Sequence, residues 1–255
     1  MSEQKMQVLA LLKAIETGAA EPAAVINPNK YTQHNLGAED GLAGFGKLLA
    51  ALPAGSAKVN SVRVLHDGDF IVAHTAYNVF GPKIGFDIFR FKGGRIVEHW
   101  DNLQETAGPN PSGNTMIDGP RDPADIGRTA ENKALVRQFA DDILVHGRMQ
   151  KLTGYFDGDN YVQHNPQIGN GLSGLSAALE AMATAGITMK YNHIHTVLGE
   201  GNFVLTVSEG AFAGKPTSFY DLFRVANGKI AEHWDTIETI PAKSEWKNQN
   251  GKFGF

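Results

Sequence analysis

Asp87-Ile88-Phe89-Arg90, followed by Glu98-His99-Trp100-Asp101, returns later in the chain as Asp221-Leu222-Phe223-Arg224 and Glu232-His233-Trp234-Asp235, every residue displaced by 134 positions. Earlier on, Tyr31-Thr32-Gln33-His34-Asn35 returns as Tyr161-Val162-Gln163-His164-Asn165, and Gly41-Leu42-Ala43-Gly44 as Gly171-Leu172-Ser173-Gly174, displaced by 130. A repeat this long means that one domain is written twice, the second copy carrying extra residues between the two matched blocks.

Working outward, each copy opens with an amphipathic helix. Val8, Leu11, Leu12 and Ile15 share one face of the first, and Leu135, Phe139 and Ile143 one face of the second. A shorter helical stretch follows, another apolar helical segment starts after Gly41 or Gly171, and four strand-like runs come last, in copy one near 57–66, 69–80, 84–91 and 95–105. Helices before strands give an α+β class, two tandem domains in which helices cover one face of a curved antiparallel sheet and leave a pocket between. Copy one is expected over 1–106 and copy two over 129–240. The Pro- and Gly-rich 107–128 reads as a linker and 241–255 as a loose tail.

Composition narrows the function classes. The 255 residues carry 23 Lys plus Arg against 27 Asp plus Glu, with no basic run to track a phosphate backbone, so nucleic acid is not an expected partner. The absence of cysteine removes disulfides and thiolate chemistry and suits a reducing compartment. Val8 to Leu12 is too short for a signal-peptide core, and nothing resembles a membrane span, so a cytoplasmic location is expected.

The helix-helix-strand order, the Tyr-x-Gln-His-Asn segment and the Asp-x-Phe-Arg hairpin ending in Glu-His-Trp-Asp resemble the SnoaL-like polyketide cyclases of the nuclear transport factor 2-like superfamily. The resemblance covers nearly all of the chain outside 107–128 and 241–255. It implies a cone-shaped domain around an enclosed apolar pocket, in a superfamily that also holds ketosteroid isomerases, epoxide hydrolases and binding modules.

Period two puts Asp87 on a strand face with Phe89 and Phe91, and Asp221 on one with Phe219 and Phe223. A carboxylate among aromatics loses hydration and its pKa rises, so that a neutral acid can donate a hydrogen bond to an enolate; the bland alternative is an ion pair with a neighbouring Arg. The resemblance places these residues near the neutral oxyanion-binding Asp of the isomerases. A three-residue Lys92-Gly93-Gly94 turn would set His99 opposite Asp87, and likewise His233 opposite Asp221, with Val97 and Asp101 (Asp235 in copy two) on the pocket face. A two-residue Gly93-Gly94 turn would set Trp100 there instead. His34 and His164 fall where the resemblance expects a general base, but Asn35 and Asn165 stand where its carboxylate would align. That moves the base role to His34 or His99, with Tyr31 and Tyr161 as hydroxyl donors; a His that merely caps a helix end is the alternative. His74 becomes Val207 in copy two, so copy one is expected to carry the chemistry, through His34, His74, Asp87 and His99.

A metal at His34, His74, His99 and Asp101 has no HExxH-like motif behind it, and no phosphate loop, nucleophile elbow or dinucleotide fingerprint occurs. The expectation is therefore an enzyme without cofactor or metal, moving a proton next to the carbonyl of a small apolar ligand in an aldol-type cyclisation, isomerisation or dehydration. A binding module without turnover is one alternative. Epoxide hydrolysis is another, disfavoured because the register points Arg90 and Arg224 away from the pocket. The two copies are expected to pack sheet to sheet as an intrachain pseudo-dimer, with higher oligomers left open.

Overall fold

The computed structural model describes residues 1–51 and 57–255 and divides into two units, Met1–Glu105 with Pro241–Phe255, and Thr106–Ile240. In the first, α1 (Glu3–Thr17) and α2 (Gly41–Ala50) accompany β1 (Thr32–Gln33), β2 (Lys58–Asp67), β3 (Phe70–Asn78), β4 (Pro82–Lys92) and β5 (Arg95–Glu105). The strands form one sheet in the order β1-β5-β4-β3-β2, antiparallel except for the short β1, which runs parallel to β5. The second unit repeats this with α3 (Thr129–Phe139), β6 (Val162–Gln163), α4 (Gly171–Thr184), β7 (Met189–Glu200), β8 (Phe203–Phe212), β9 (Lys215–Ala226) and β10 (Lys229–Thr239), in the order β6-β10-β9-β8-β7. The expected α+β class and four long strands per copy are present.

Each core lies between the first helix and one sheet face. Ser2 caps α1 by accepting from the Lys5 N–H, and Gly18 ends it at φ 71°. Val8, Leu11 and Leu12 then pack on Ile71, Ala73, Phe89, Phe91 and Ile96. In copy two Val136, Phe139 and Ile143 meet Val204, Phe223, Val225 and Ile230. The helix widens into a π turn over Ala140–Val145, and Leu135 is left at the margin of the face it was expected to share.

The β4–β5 hairpin differs from both turn readings. Lys92 pairs with Arg95, so the turn is Gly93-Gly94, both at positive φ (60° and 74°), as a type I′ turn requires. The register then shifts between Phe91↔Ile96 and Arg90↔Glu98, leaving Val97 as the extra residue of a bulge. The bulge restores the faces that a two-residue turn alone would have exchanged. Asp87 lies opposite Asp101, His99 lies opposite Phe89, and Trp100 falls on the other face opposite Ile88. Copy two does the same, with Asp221↔Asp235, Phe223↔His233 and a shift at Ala231. The expected direct Asp87–His99 and Asp221–His233 pairs are thus diagonal ones.

The segments read as linker and tail belong to the units themselves. Asn110 donates to the Gln163 and Ile168 carbonyls, and Asn114 to the Gln163 carbonyl and the Asn170 side chain. In copy one Asn248 donates to the Asn35 and Ala38 carbonyls, and Asn250 to the Gln33 carbonyl and Asp40. Each segment closes the loop that follows the short strand of its own copy, and Phe255 stacks on Trp100 at 4.4 Å.

Candidate acid–base site

Gln33 pairs with His99 across the parallel β1–β5 ladder, and Gln163 with His233 across β6–β10. The side chains follow this register. Gln33 Oε1 faces His99 Nδ1 at 2.9 Å and accepts the Asn35 backbone N–H at 2.8 Å. The amide oxygen is therefore the atom turned to the ring, and Nδ1 donates. Gln163 Oε1 lies 3.0 Å from His233 Nδ1 and accepts the backbone N–H groups of His164 and Asn165. With Nδ1 fixed as a donor, the other ring nitrogen faces a carboxyl oxygen: His99 Nε2 lies 3.2 Å from Asp87, and His233 Nε2 3.1 Å from Asp221. Imidazole and carboxyl are thus joined by a single hydrogen-bond contact in each copy. Each ring stacks on a core aromatic, His99 on Phe89 at 4.6 Å and His233 on Phe223 at 4.8 Å.

A second carboxyl closes each cluster. Asp101 accepts from Asn35 at 2.5 Å and Asp235 from Asn165 at 2.7 Å, so the asparagines that replace the expected base carboxylate serve as donors. A phenol reaches each first carboxyl, Tyr77 to Asp87 at 2.5 Å and Tyr191 to Asp221 at 3.2 Å. Tyr77 and Tyr191 are not equivalent in sequence. Tyr77 on β3 pairs with Val59 on β2, whereas at the corresponding places Gly210 on β8 pairs with Tyr191 on β7. The phenol has crossed to the neighbouring strand, and an alignment of the copies hides it.

Burial drives the electrostatics. Asp87 is raised from its ordinary value by desolvation, opposed by His99 and reinforced by Asp101. Asp235 is raised to about 6 by the same burial, opposed by His233 and reinforced by Asp221. For His233, burial works against the charge, but the Asp221 hydrogen bond and the fields of Asp235 and Asp221 prevail and its pKa rises. Tyr31 and Tyr161, both buried, are raised by desolvation and then by the two carboxyls of their copy, Asp101 and Asp87 or Asp235 and Asp221. They stay protonated beside the site, as hydroxyl donors must.

His34, His164 and His74 are not brought to these clusters. Alternation along the chain after Gln33 turns His34 to the opposite sheet face, stacked on Trp100 at 4.8 Å, with Nε2 2.9 Å from Glu98 and Nδ1 2.8 Å from the Gly251 carbonyl. His164 repeats this with Trp234, Glu232 and the Thr115 carbonyl. Arg90 and Arg224 bind the same two glutamates and with the imidazoles hold them below the usual carboxylate range against the effect of burial. His74 pairs with Phe86, not with Asp87; it stacks on that ring at 4.2 Å and meets Arg63 at 3.0 Å. The expected four-residue convergence in copy one is corrected to Asp87 and His99, joined by Asp101, Tyr77, Gln33 and Asn35.

Asp87, His99 and Asp101 each offer one ligand atom within 4.8 Å of the others, as do Asp221, His233 and Asp235. His99 Nε2 is turned to Asp87, and Tyr77 and Asn35 supply donors to the carboxyls of copy one. The network is incomplete, since Asp101 Oδ1, Asp221 Oδ2 and Asp235 Oδ1 are buried without a hydrogen-bond partner among the described residues. The alternative metal set including His34 and His74 does not converge.

Comparison with known proteins matches residues 136–233 to the SnoaL-like domain family. No curated protein matches the chain. Among solved structures, IdmH from Streptomyces antibioticus, a proposed polyketide cyclase, is 14% identical over 40% of this chain and 93% of its own, with a TM-score of 0.35. An M. tuberculosis LEH-like epoxide hydrolase is 21% identical over 44% and 85%, TM-score 0.35. An NTF-2 like protein of unknown function from Burkholderia xenovorans LB400 is 16% identical over 49% and 100%, TM-score 0.39. The family match falls within copy two.

Proposed function

We propose that the chain is a cofactor-independent acid–base enzyme acting next to the carbonyl of a small apolar compound, by aldol-type cyclisation, isomerisation or dehydration. The observation that carries this reading is the buried imidazole–carboxyl contact of His99 with Asp87, and of His233 with Asp221, with the remaining ring nitrogen facing a glutamine oxygen. The imidazole–carboxylate pair takes a proton from the carbon beside the carbonyl. The C–H electron pair becomes the C=C bond of an enolate, and the charge moves to oxygen. A buried carboxyl with a raised pKa, such as Asp235, then donates a hydrogen bond to that oxygen. Return of the proton to another carbon gives isomerisation, and attack of the enolate carbon on a second carbonyl gives an aldol product.

Epoxide hydrolysis is less well supported, because Arg90 and Arg224 are engaged by Glu98 and Glu232 on the other sheet face. The test is deuterium exchange beside the carbonyl across a panel of small ketones, followed by NMR, with Asp87→Asn, Asp221→Asn and the double variant. The double variant should lose about 10²-fold to 10⁴-fold, the usual contribution of a positioned general base. Exchange by the folded double variant at the wild-type rate overturns the reading, and ligand binding without exchange by the wild type makes the chain a binding module.

A further inference from the structure

The capping segments of the two copies align as Asn114-Thr115-Met116 and Asn250-Gly251-Lys252, displaced by 136. The middle residues do equivalent work: the Thr115 carbonyl accepts from His164 and the Gly251 carbonyl from His34, each at 2.8 Å. The third residues are both buried, Met116 at 3% exposure and Lys252 at 6%. Copy two therefore shows that the cap closes with an uncharged thioether at this place. A buried ammonium costs several kcal/mol of desolvation unless something opposite compensates it, so the lysine of copy one answers to more than the cap. Its Nζ lies 3.6 Å from Asp101 Oδ1, and both side chains are buried.

We propose that Lys252 is a positioning residue of copy one's cluster, its buried ammonium paired with the Asp101 carboxyl, and that the two sites differ by this charge because Met116 stands at the matching place in copy two. Asp101 is faced by Asp87 from β4, His99 from its own strand, Asn35 and Tyr31 from the segments flanking β1, and Lys252 from the C-terminal segment. Asp235 is faced by Asp221, His233, Asn165 and Tyr161, with Met116 at the position matching Lys252. An opposite charge within about 4–6 Å lowers a carboxyl pKa by roughly 1–3 units. Copy one thereby carries a cation beside its second carboxyl that copy two lacks; what this does for turnover rests on the acid–base reading of the sites, and the charge difference itself does not.

The test is a ¹³C-carboxyl NMR titration of the full-length protein, with Asp101→Asn and Asp235→Asn to assign the signals. Lys252→Met installs the residue of copy two and should raise the Asp101 midpoint by about one unit or more. Met116→Lys should lower the Asp235 midpoint from about 6 by a similar amount. An unmoved Asp101 midpoint in folded Lys252→Met overturns the proposal. Should that variant fail to fold, Met116→Lys decides, and an unmoved Asp235 midpoint overturns it equally. Since the titration needs no substrate, a failure to find turnover bears on the proposed function and leaves the charge result standing.

Discussion

Asp221 lies directly opposite Asp235 across the β9–β10 ladder, so a buried cluster holds two carboxyls with one imidazole, His233, reaching diagonally between them. Two like charges at that spacing, out of water, disfavour each other, and the cluster prefers to keep a proton. Burial, opposed by His233 and reinforced by the Asp221 charge, raises Asp235 from its ordinary 3.8 to about 6.

The consequence for stability has a definite sign. A carboxyl whose folded pKa lies above its unfolded one favours the folded state below the unfolded pKa, and that contribution is lost as pH rises through the folded pKa. Asp235 should therefore reduce stability between about pH 4 and pH 6, by an amount on the order of 3 kcal/mol for a shift of about two units. In Asp235→Asn the decline over this window should be shallower than in the wild type. Urea denaturation at a series of pH values measures it, and parallel profiles would show that Asp235 is not the proton holder.

His34 and His164 give an opposite expectation to that of the sequence motif. Each sits on the far sheet face against a tryptophan and a glutamate, within hydrogen-bond distance of the buried carboxyl. His164→Ala should cost about 1.5–3 kcal/mol, because Glu232 keeps Arg224 but loses the hydrogen bond from His164. The pH dependence of any exchange activity should stay as in the wild type at a temperature where the variant is folded. A changed pH profile would return these histidines to the chemistry.

The sequence carried the duplication and the grouping of Asp87 with His99 on one sheet face, because strand alternation and a matching spacing in both copies survive without coordinates. The direct partner was not readable, because Val97 and Ala231, the bulge residues, have ordinary strand side chains and no glycine to mark them. Gln33 and Gln163 stand in the repeated motif beside the histidines, but nothing in their spacing marks them as ring partners. Their role depends on a parallel two-residue pairing that only the fold supplies. The caps read as linker and tail because Asn, Pro and Gly mark irregular backbone equally well whether it is loose or docked.

Removing the C-terminal segment should accordingly be harmful. A chain ending at Lys247 loses the Asn248 and Asn250 donors to the Asn35, Ala38 and Gln33 carbonyls and the carbonyl that holds His34. At about 1 kcal/mol for each hydrogen bond, the first unit should lose several kcal/mol. Thermal denaturation of the full-length and shortened chains distinguishes this from a loose tail, whose removal would leave the midpoint unchanged.

The exchanged tyrosines permit the sharpest test of what the clusters need. Tyr77 donates to Asp87 from β3, and Tyr191 donates to Asp221 from β7, the counterpart of β2. If the phenol at the carboxyl is the requirement, its strand of origin should be interchangeable. Tyr77→Phe removes the donor alone and should cost about 1.5–3 kcal/mol, the range for a hydrogen bond to a charged group. It should also push Asp87 further up, since the Tyr77 bond is one of the influences holding its pKa down. Tyr77→Gly adds a cavity and should cost more than Tyr77→Phe. Combining Tyr77→Gly with Val59→Tyr reproduces the copy-two arrangement at the cross-strand pair Val59–Tyr77, and the second change should restore part of the stability and bring the Asp87 midpoint back down. A double variant no more stable than Tyr77→Gly, with the Asp87 midpoint still raised, would mean that the two tyrosines fill space in their own strands and that their common meeting with an aspartate is incidental.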